Sequence, residues 1–243
     1  QRLDDRLGRR AGELLASPRY RLHVFTSRGR HLLNREGRLR TPLGYMGAVV
    51  TNLASRRALG GWLERVVFSD PRTPLPFSLE DFRSAQVALG TDNLASAVLA
   101  SCSIPFWLRA VHDLPRAPRG AYWDGGITDY HLHLPYAQMA EGLVLYPHFQ
   151  QAVVPGWLDK PLPWRHRATA ALDNVVLLSP RPEWVATLPD GKLPDRSDFK
   201  RFEHEPSRRI AQWRAALAQS ERLAGDLSDW LAGAARDLVV QPL

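Results

Sequence analysis

The chain alternates between short apolar runs and longer segments in which apolar residues recur at helical spacing. The runs fall at 64–69, 121–123, 142–146 and 174–178, and an Asp or Pro follows each of them within two residues. Continuous apolar runs of this kind are typical of strands that are covered on both faces, as in parallel sheets. Together with the helical segments between them, the runs predict an α/β domain with a mostly parallel sheet.

Segments with apolar residues three or four positions apart predict the helices. They cover 2–16, 43–58 and 93–102. The last of these ends before Pro105, because the residue before a proline is pushed out of the helical region. A long C-terminal helix packed on the domain is expected over 197–233, since apolar positions recur from Pro206 to about Leu231. No shift in composition marks a boundary, so we expect residues 1–243 to form a single domain or the C-terminal portion of one.

Composition narrows the class of protein. Of the 243 residues, 44% are hydrophobic, which is enough to bury a core. The net charge of +7 comes from arginines that are scattered along the chain, so nucleic acid is not an expected partner. There is one cysteine, and there is no apolar run of about 18 residues such as a membrane-spanning helix needs. These features favour a cytoplasmic or membrane-peripheral protein.

A carboxylate followed by two glycines stands out on physical grounds. Asp124 directly follows the predicted strand 121–123, and Gly125 and Gly126 come next. We expect the glycines to let the backbone turn with positive φ and to leave the carboxylate open to a neighbouring group. This would present a general base at the end of a strand. Taken alone, the same tripeptide also reads as an ordinary strand-ending turn, since Asp-Gly is a common turn pair.

A segment upstream of this turn favours the interpretation of Asp124 as a functional residue. Ala100-Ser101-Cys102-Ser103-Ile104-Pro105 closes a predicted helix, and a connector separates it from Tyr122-Trp123-Asp124-Gly125-Gly126. This helix-end Ser-Ile-Pro, followed by aromatic-x-Asp-Gly-Gly, resembles the signature of patatin-like phospholipases. The resemblance is close over 93–135 and looser over most of 1–180. It implies a three-layer α/β/α fold with a mostly parallel sheet.

The resemblance also implies a chemistry, namely lipid acyl hydrolysis by a serine–aspartate dyad. By that likeness Asp124 is the general base, and Gly125 and Gly126 let it approach the serine. The substrate would be a phospholipid or another lipid acyl ester, with peripheral contact to a membrane and without a metal or organic cofactor.

The nucleophile of this family is missing from the sequence. In the family the serine stands in an earlier Gly-x-Ser-x-Gly segment that follows a glycine-rich loop, and neither feature occurs in this chain. We therefore expect the serine to lie upstream of residue 1. The alternative is a non-catalytic, truncated or degenerate patatin-like domain that keeps a lipid-facing surface.

Two further groups could carry chemistry. His131 and His133 would share one face of a strand, and with Asp124 or Asp129 nearby they could bind zinc in a metal-dependent hydrolase. No third ligand stands at a recognisable spacing, so a polar strand face or loop is the simpler interpretation. The lone Cys102 lies at the apolar end of a helix, which is typical of a small buried hydrophobic residue.

The segment 147–170 combines tryptophan and arginine. It contains Trp157, Trp164 and Arg165 among several prolines. Such a mixture suits an acyl-binding lip at a membrane interface, and it also suits an ordered loop packed on the edge of the sheet. The packed loop is the prediction that we favour.

Overall fold

The computed structural model describes residues 10–139, 141–233 and 241–242. The chain divides into two compact units, of which the first contains Gln1–Leu143 and Val153–Val175 and the second Val144–Ala152 and Val176–Leu243. The candidate functional residues all belong to the first unit. No helix in the described part of the chain is long and apolar enough to cross a bilayer.

The first unit is organised around a five-stranded sheet. Its strands are β1 (His23–Gly29), β2 (Leu63–Ser69), β3 (Ser84–Ala88), β4 (Val111–His112) and β5 (Ala121–Asp124). Their order across the sheet is β3-β2-β1-β5-β4. The β2–β3 pair is parallel, whereas β1 pairs antiparallel with both β2 and β5, and β4 pairs antiparallel with β5. The α/β class is therefore confirmed, but the expectation of a mostly parallel sheet is wrong for the described strands.

The apolar runs misled the prediction because they report burial and not strand direction. All seven residues of β2 are buried, including Glu64 and Arg65. The reason is that both faces of the sheet are covered, which gives a continuous apolar run whichever way the neighbouring strands point.

Two helices cover the two faces. The first, α1 (Arg40–Ala54), packs Tyr45 and Ala48 against a cluster that includes Trp123 of β5. The second, α2 (Leu94–Ser101), packs against a cluster that includes Tyr122. Neighbouring residues of a strand point to opposite faces, so these two clusters lie on opposite sides of the sheet.

The helix predictions hold with shifted ends. The segment 43–58 corresponds to α1, and 93–102 corresponds to α2. Of the predicted helix 2–16, residues 10–15 are helical, and the part before residue 10 lies outside the described residues. The strand that we expected at 64–69 is confirmed as β2, and the one at 121–123 as β5, which extends to Asp124.

Helices dominate the second unit. They are α3 (Pro182–Ala186), α4 (Ser197–Arg201) and α5 (Pro206–Leu231). The long helix predicted from Pro206 to about Leu231 is confirmed, and α4 is a separate short helix within the range 197–233. The runs at 142–146 and 174–178 become β6 (Val144–Pro147) and β7 (Val175–Leu178), which pair in a two-stranded sheet. We expected these strands to be buried, but their residues are only partly covered or exposed.

Candidate functional site

The two motif blocks of the sequence meet at the end of β5. The backbone N–H of Asp124 donates to the carbonyl oxygen of Ser103 at 3.0 Å. Ser103 is itself buried, and its hydroxyl donates to the Leu99 carbonyl at 2.8 Å, which closes the end of α2. On the other side of β5, Asp124 stands opposite Thr26 of β1. The carboxylate-bearing residue is thus fixed between the central strand and the end of α2.

The Asp124 carboxylate is half-buried and only lightly bonded. Its Oδ1 accepts a hydrogen bond from the Gly126 N–H at 2.7 Å. Burial raises the pKa of Asp124 above its ordinary value of 3.8, and the bond from Gly126 opposes this shift without cancelling it. Within the described residues no serine hydroxyl is hydrogen-bonded to this carboxylate. It is therefore a half-buried carboxylate with a raised pKa and no serine partner in this part of the chain.

The two glycines work differently from our expectation. Neither has a positive φ, because Gly125–Ile127 continues from the strand as a turn of 3-10 helix. Gly125 is required by close packing, since a Cβ placed there would lie 2.3 Å from the backbone oxygen of Phe25 in β1. At Gly126 a Cβ would lie 3.0 Å from Oδ1 of Asp124 itself. The first glycine lets β5 approach β1, and the second leaves room for the carboxylate.

Tyr45 of α1 is close enough to Asp124 for the carboxylate charge to affect its pKa, and no sequence pattern pointed to this residue. Its ring packs edge-on against Trp123 at 5.8 Å and against Phe106 at 5.3 Å between centroids. The hydroxyl is buried and has no hydrogen-bond partner among the described residues. Burial raises the pKa of Tyr45, and the negative charge of Asp124 raises it further. A buried and unpaired hydroxyl is unusual, because such groups normally find a partner.

We expect Tyr45→Phe to leave the free energy of unfolding unchanged or to raise it by up to about 1 kcal/mol, because the variant removes an unsatisfied buried oxygen. Tyr122→Phe is the matched control, since the Tyr122 hydroxyl is also buried but donates to the Pro118 carbonyl at 2.5 Å. That control should lose about 1 kcal/mol. Urea denaturation of both variants measures the difference. Equal losses would show that the Tyr45 hydroxyl is satisfied in solution.

A buried ion-pair network fixes the loop that follows the glycines. Arg65, on the central part of β2, donates from Nε to Oδ2 of Asp129 at 2.7 Å and from Nη2 to Oδ1 at 2.5 Å. Both side chains are at most 1% exposed. Burial alone would lower the pKa of Arg65, but Asp129 and Asp81 outweigh it and raise the pKa above its ordinary value. Arg65 also donates to Asp81 at 2.6 Å, which connects the pair to the surface.

A second carboxylate extends this network to the other side of the loop. Asp159 is fully buried and accepts from Asn52 and from Arg165, both at 2.8 Å. Arg56 joins the two halves, because it donates to Asp159 at 3.1 Å and to the Thr128 carbonyl at 2.5 Å. The loop that carries Gly125 and Gly126 is therefore held by charged groups from distant parts of the chain.

His131 and His133 do not lie on a strand, since the described residues 128–135 form turns and coil. Nδ1 of the buried His131 accepts from the Val154 N–H at 2.9 Å, while Nε2 of His133 lies 3.1 Å from the Thr169 hydroxyl. Burial lowers the pKa of His133. In the part of the chain that the structure describes, no group of three or more His, Cys, Asp or Glu residues could hold a metal ion. The metal-hydrolase interpretation therefore has no ligand set there.

The remaining sequence candidates have simple roles. Cys102 is exposed, contrary to the expectation of a buried residue, because it follows the last turn of α2. In the segment 147–170, Trp157 packs against the cluster beneath α1, and Arg165 donates to the Asn52 carbonyl. Trp164 is 60% exposed. Within the part of this segment that belongs to the first unit, Trp157 and Arg165 are therefore packed, whereas Trp164 is open to solvent.

Comparisons with known proteins add nothing to this geometry. No family model, no curated protein and no solved structure matches the chain.

Proposed function

We propose that this chain supplies the general base of a serine–aspartate lipid acyl hydrolase of the patatin-like type. Asp124 is the base, and the nucleophilic serine is contributed by sequence outside residues 1–243. The sheet with a helix on each face would be the core of a three-layer patatin-like domain.

One observation carries this proposal. The helix-end Ser103 and the strand-end Asp124, which the resemblance pairs by sequence alone, are joined by a direct backbone hydrogen bond of 3.0 Å. This bond brings together the two sequence blocks on which the resemblance depends. The carboxylate is also half-buried, and its raised pKa makes Asp124 a stronger base than an ordinary surface aspartate.

The chemistry would proceed through an acyl-enzyme. The serine Oγ attacks the ester carbonyl as its proton passes to the Asp124 carboxylate, and the alcohol leaves with a proton returned from that carboxyl group. Water then attacks the acyl-enzyme, with Asp124 again accepting and returning a proton. The base must be ionised, so we expect activity to fall at acid pH through a pKa that lies above 3.8.

A second candidate is a patatin-like domain without turnover. It is favoured by the lack of a serine hydroxyl hydrogen-bonded to Asp124 among the described residues, and by the absence of Gly-x-Ser-x-Gly from the sequence. Both candidates keep the fold, and they differ in whether a serine reaches the carboxylate in the full-length protein.

Asp124→Asn in the full-length protein tests the proposal. We expect hydrolysis of a short-chain nitrophenyl ester to fall by about 10²- to 10⁴-fold, because the general base is removed. A fluorophosphonate probe should label the wild type at serine and label the variant much more slowly. Wild-type turnover in a folded Asp124→Asn variant would reject the role of Asp124. If the wild type neither turns over nor takes the label, the domain is non-catalytic.

The same substitution should not weaken the fold. The raised pKa means that the folded state binds the Asp124 proton more tightly than the unfolded state does. Ionisation therefore costs stability as the pH rises through and above 3.8. Asn keeps the acceptor for the Gly126 N–H and carries no charge. We expect Asp124→Asn to be at least as stable as wild type at neutral pH, with any gain limited by the solvent exposure of the carboxylate. This gain should vanish at acid pH, as urea denaturation at several pH values would measure.

A further inference from the structure

The outward face of α1 is apolar along its whole length. Its exposed side chains, together with the residue that precedes the helix, form what we call the outer apolar face: Leu39, Leu43, Met46, Val49, Val50 and Leu53. No charged residue occurs from Thr41 to Ala54. A surface helix of a water-soluble domain normally carries polar side chains on the face away from the core. The outer apolar face therefore indicates a surface that contacts something other than water.

Three further exposed apolar residues lie beside α1. The segment Phe106-Trp107-Leu108 follows the proline that ends α2, and Trp107 is 84% exposed. Phe106 has a φ of 69°, an uncommon conformation for a bulky residue, and its ring packs on Tyr45 of α1. The backbone thus holds large apolar rings in solvent, and one of them, that of Phe106, packs on Tyr45 of the helix.

Arginines dominate the charges around this surface, and the exposed Glu36, whose Oε2 accepts from the Ala110 N–H at 3.3 Å, is an exception. Arg38 and Arg40 lie at the start of α1, Arg57 lies beyond its end, and Arg109 follows Leu108. All four are exposed, and none has a carboxylate partner among residues 10–139 and 141–233. A rim in which arginines outnumber carboxylates, around an apolar centre, complements anionic lipid headgroups.

We propose that the outer apolar face and Phe106-Trp107-Leu108 dock onto an anionic phospholipid bilayer. The aliphatic side chains enter the boundary between headgroups and acyl chains, the arginines contact the phosphates, and Trp107 lies at the interface that tryptophan prefers. Because Phe106 links this surface to Tyr45, which is close enough to Asp124 to be affected by its charge, docking would bring lipid esters to the base. The choice of a lipid partner rests on the proposed function, but the binding itself requires no turnover.

Vesicle flotation of the purified chain tests the proposal. The probe is a set of vesicles made of phosphatidylcholine alone or of phosphatidylcholine with phosphatidylglycerol. We expect wild type to bind the anionic vesicles more tightly, and high salt to weaken this binding. Val50→Glu should reduce the partition constant by about tenfold or more, because an apolar contact is replaced by a charge. Leu217→Glu on α5 is the matched control, since Leu217 is equally apolar and 67% exposed, and it should bind as wild type does.

A label at a defined position shows which surface enters the bilayer. Residues 1–243 contain one cysteine, Cys102. Cys102→Ser therefore gives a cysteine-free variant into which a single new cysteine can be introduced for labelling. A fluorophore on Val50→Cys should be quenched by nitroxide lipids, and the same fluorophore on Leu217→Cys should not. Quenching of both labels, or of the Leu217 label alone, would overturn the assignment of the surface.

Two other results would also overturn it. One is a wild-type chain that binds neither kind of vesicle. The other is a concentration-dependent dimer that Val50→Glu dissociates and that vesicles do not compete with, because the apolar face would then be a protein interface. Loss of esterase activity in Asp124→Asn is a separate readout. Vesicle binding without any hydrolysis would leave this inference standing while the proposed catalytic function fails.

Discussion

Asp129→Asn is expected to lower the free energy of unfolding by about 3–5 kcal/mol, because it leaves a buried guanidinium without its closest carboxylate. Arg65 and Asp129 are at most 1% exposed and share two hydrogen bonds. The second carboxylate on Arg65, that of Asp81, is 43% exposed and is screened by water. It cannot fully replace the lost charge. Urea denaturation followed by circular dichroism measures the change.

Two variants make this result interpretable. Asp92→Asn removes a pair with Arg116 in which both side chains are about half exposed, and it should cost less than about 1 kcal/mol. The double variant Arg65→Met with Asp129→Leu should recover much of the loss, since an apolar pair of similar volume carries no desolvation cost. If Asp129→Asn costs no more than Asp92→Asn, then the network is hydrated and does not fix the loop.

Gly125→Ala should be similarly damaging, for a steric reason. The added Cβ would lie 2.3 Å from the Phe25 carbonyl oxygen and 2.6 Å from its carbon, and both are backbone atoms of the central strand. They cannot move without separating β1 from β5. We expect a loss of about 3 kcal/mol or more, at or beyond the upper end of typical overpacking costs. Thermal unfolding of the purified variant would measure it.

Gly126→Ala is the neighbouring control. Its Cβ would meet Oδ1 of Asp124 at 3.0 Å and Cδ2 of Tyr130 at 3.5 Å, and both are side-chain atoms that can rotate away. The fold should lose no more than about 1 kcal/mol, while the carboxylate is displaced. In the full-length protein this variant should therefore lose activity at nearly wild-type stability. Equal destabilisation by the two alanines would show that the clash at Gly125 is relieved by a shift of the loop.

The parts of the site that the sequence predicted are those with local signals. Asp124 was expected at the end of a strand because an apolar pair precedes it and two glycines follow it, and the structure has it at the end of β5. The end of α2 was expected because Pro105 cannot follow a residue in the helical region. Each prediction depends on a few adjacent residues. The backbone preferences of such short segments are largely kept when the chain packs into its tertiary structure.

The parts that the sequence did not predict depend on distant residues. Arg65 and Asp129 are 64 positions apart, and no local pattern connects them. One clue was available, because a charged pair, Glu64-Arg65, begins the apolar run of β2, and a buried charge requires a partner. The antiparallel direction of β1 against β2 was missed because apolar patterning is the same for either direction when both faces are covered.

The network around Asp159 also has a consequence for synthesis on the ribosome. Asn52 and Arg56 emerge early, but their shared carboxylate stands more than 100 positions later, after the excursion of residues 144–152 into the second unit. Until Asp159 has left the exit tunnel, Arg56, which also holds the loop after Asp124 through the Thr128 carbonyl, lacks this counter-charge. The surroundings of Asp124 would therefore be completed late, when most of the first unit has already been translated.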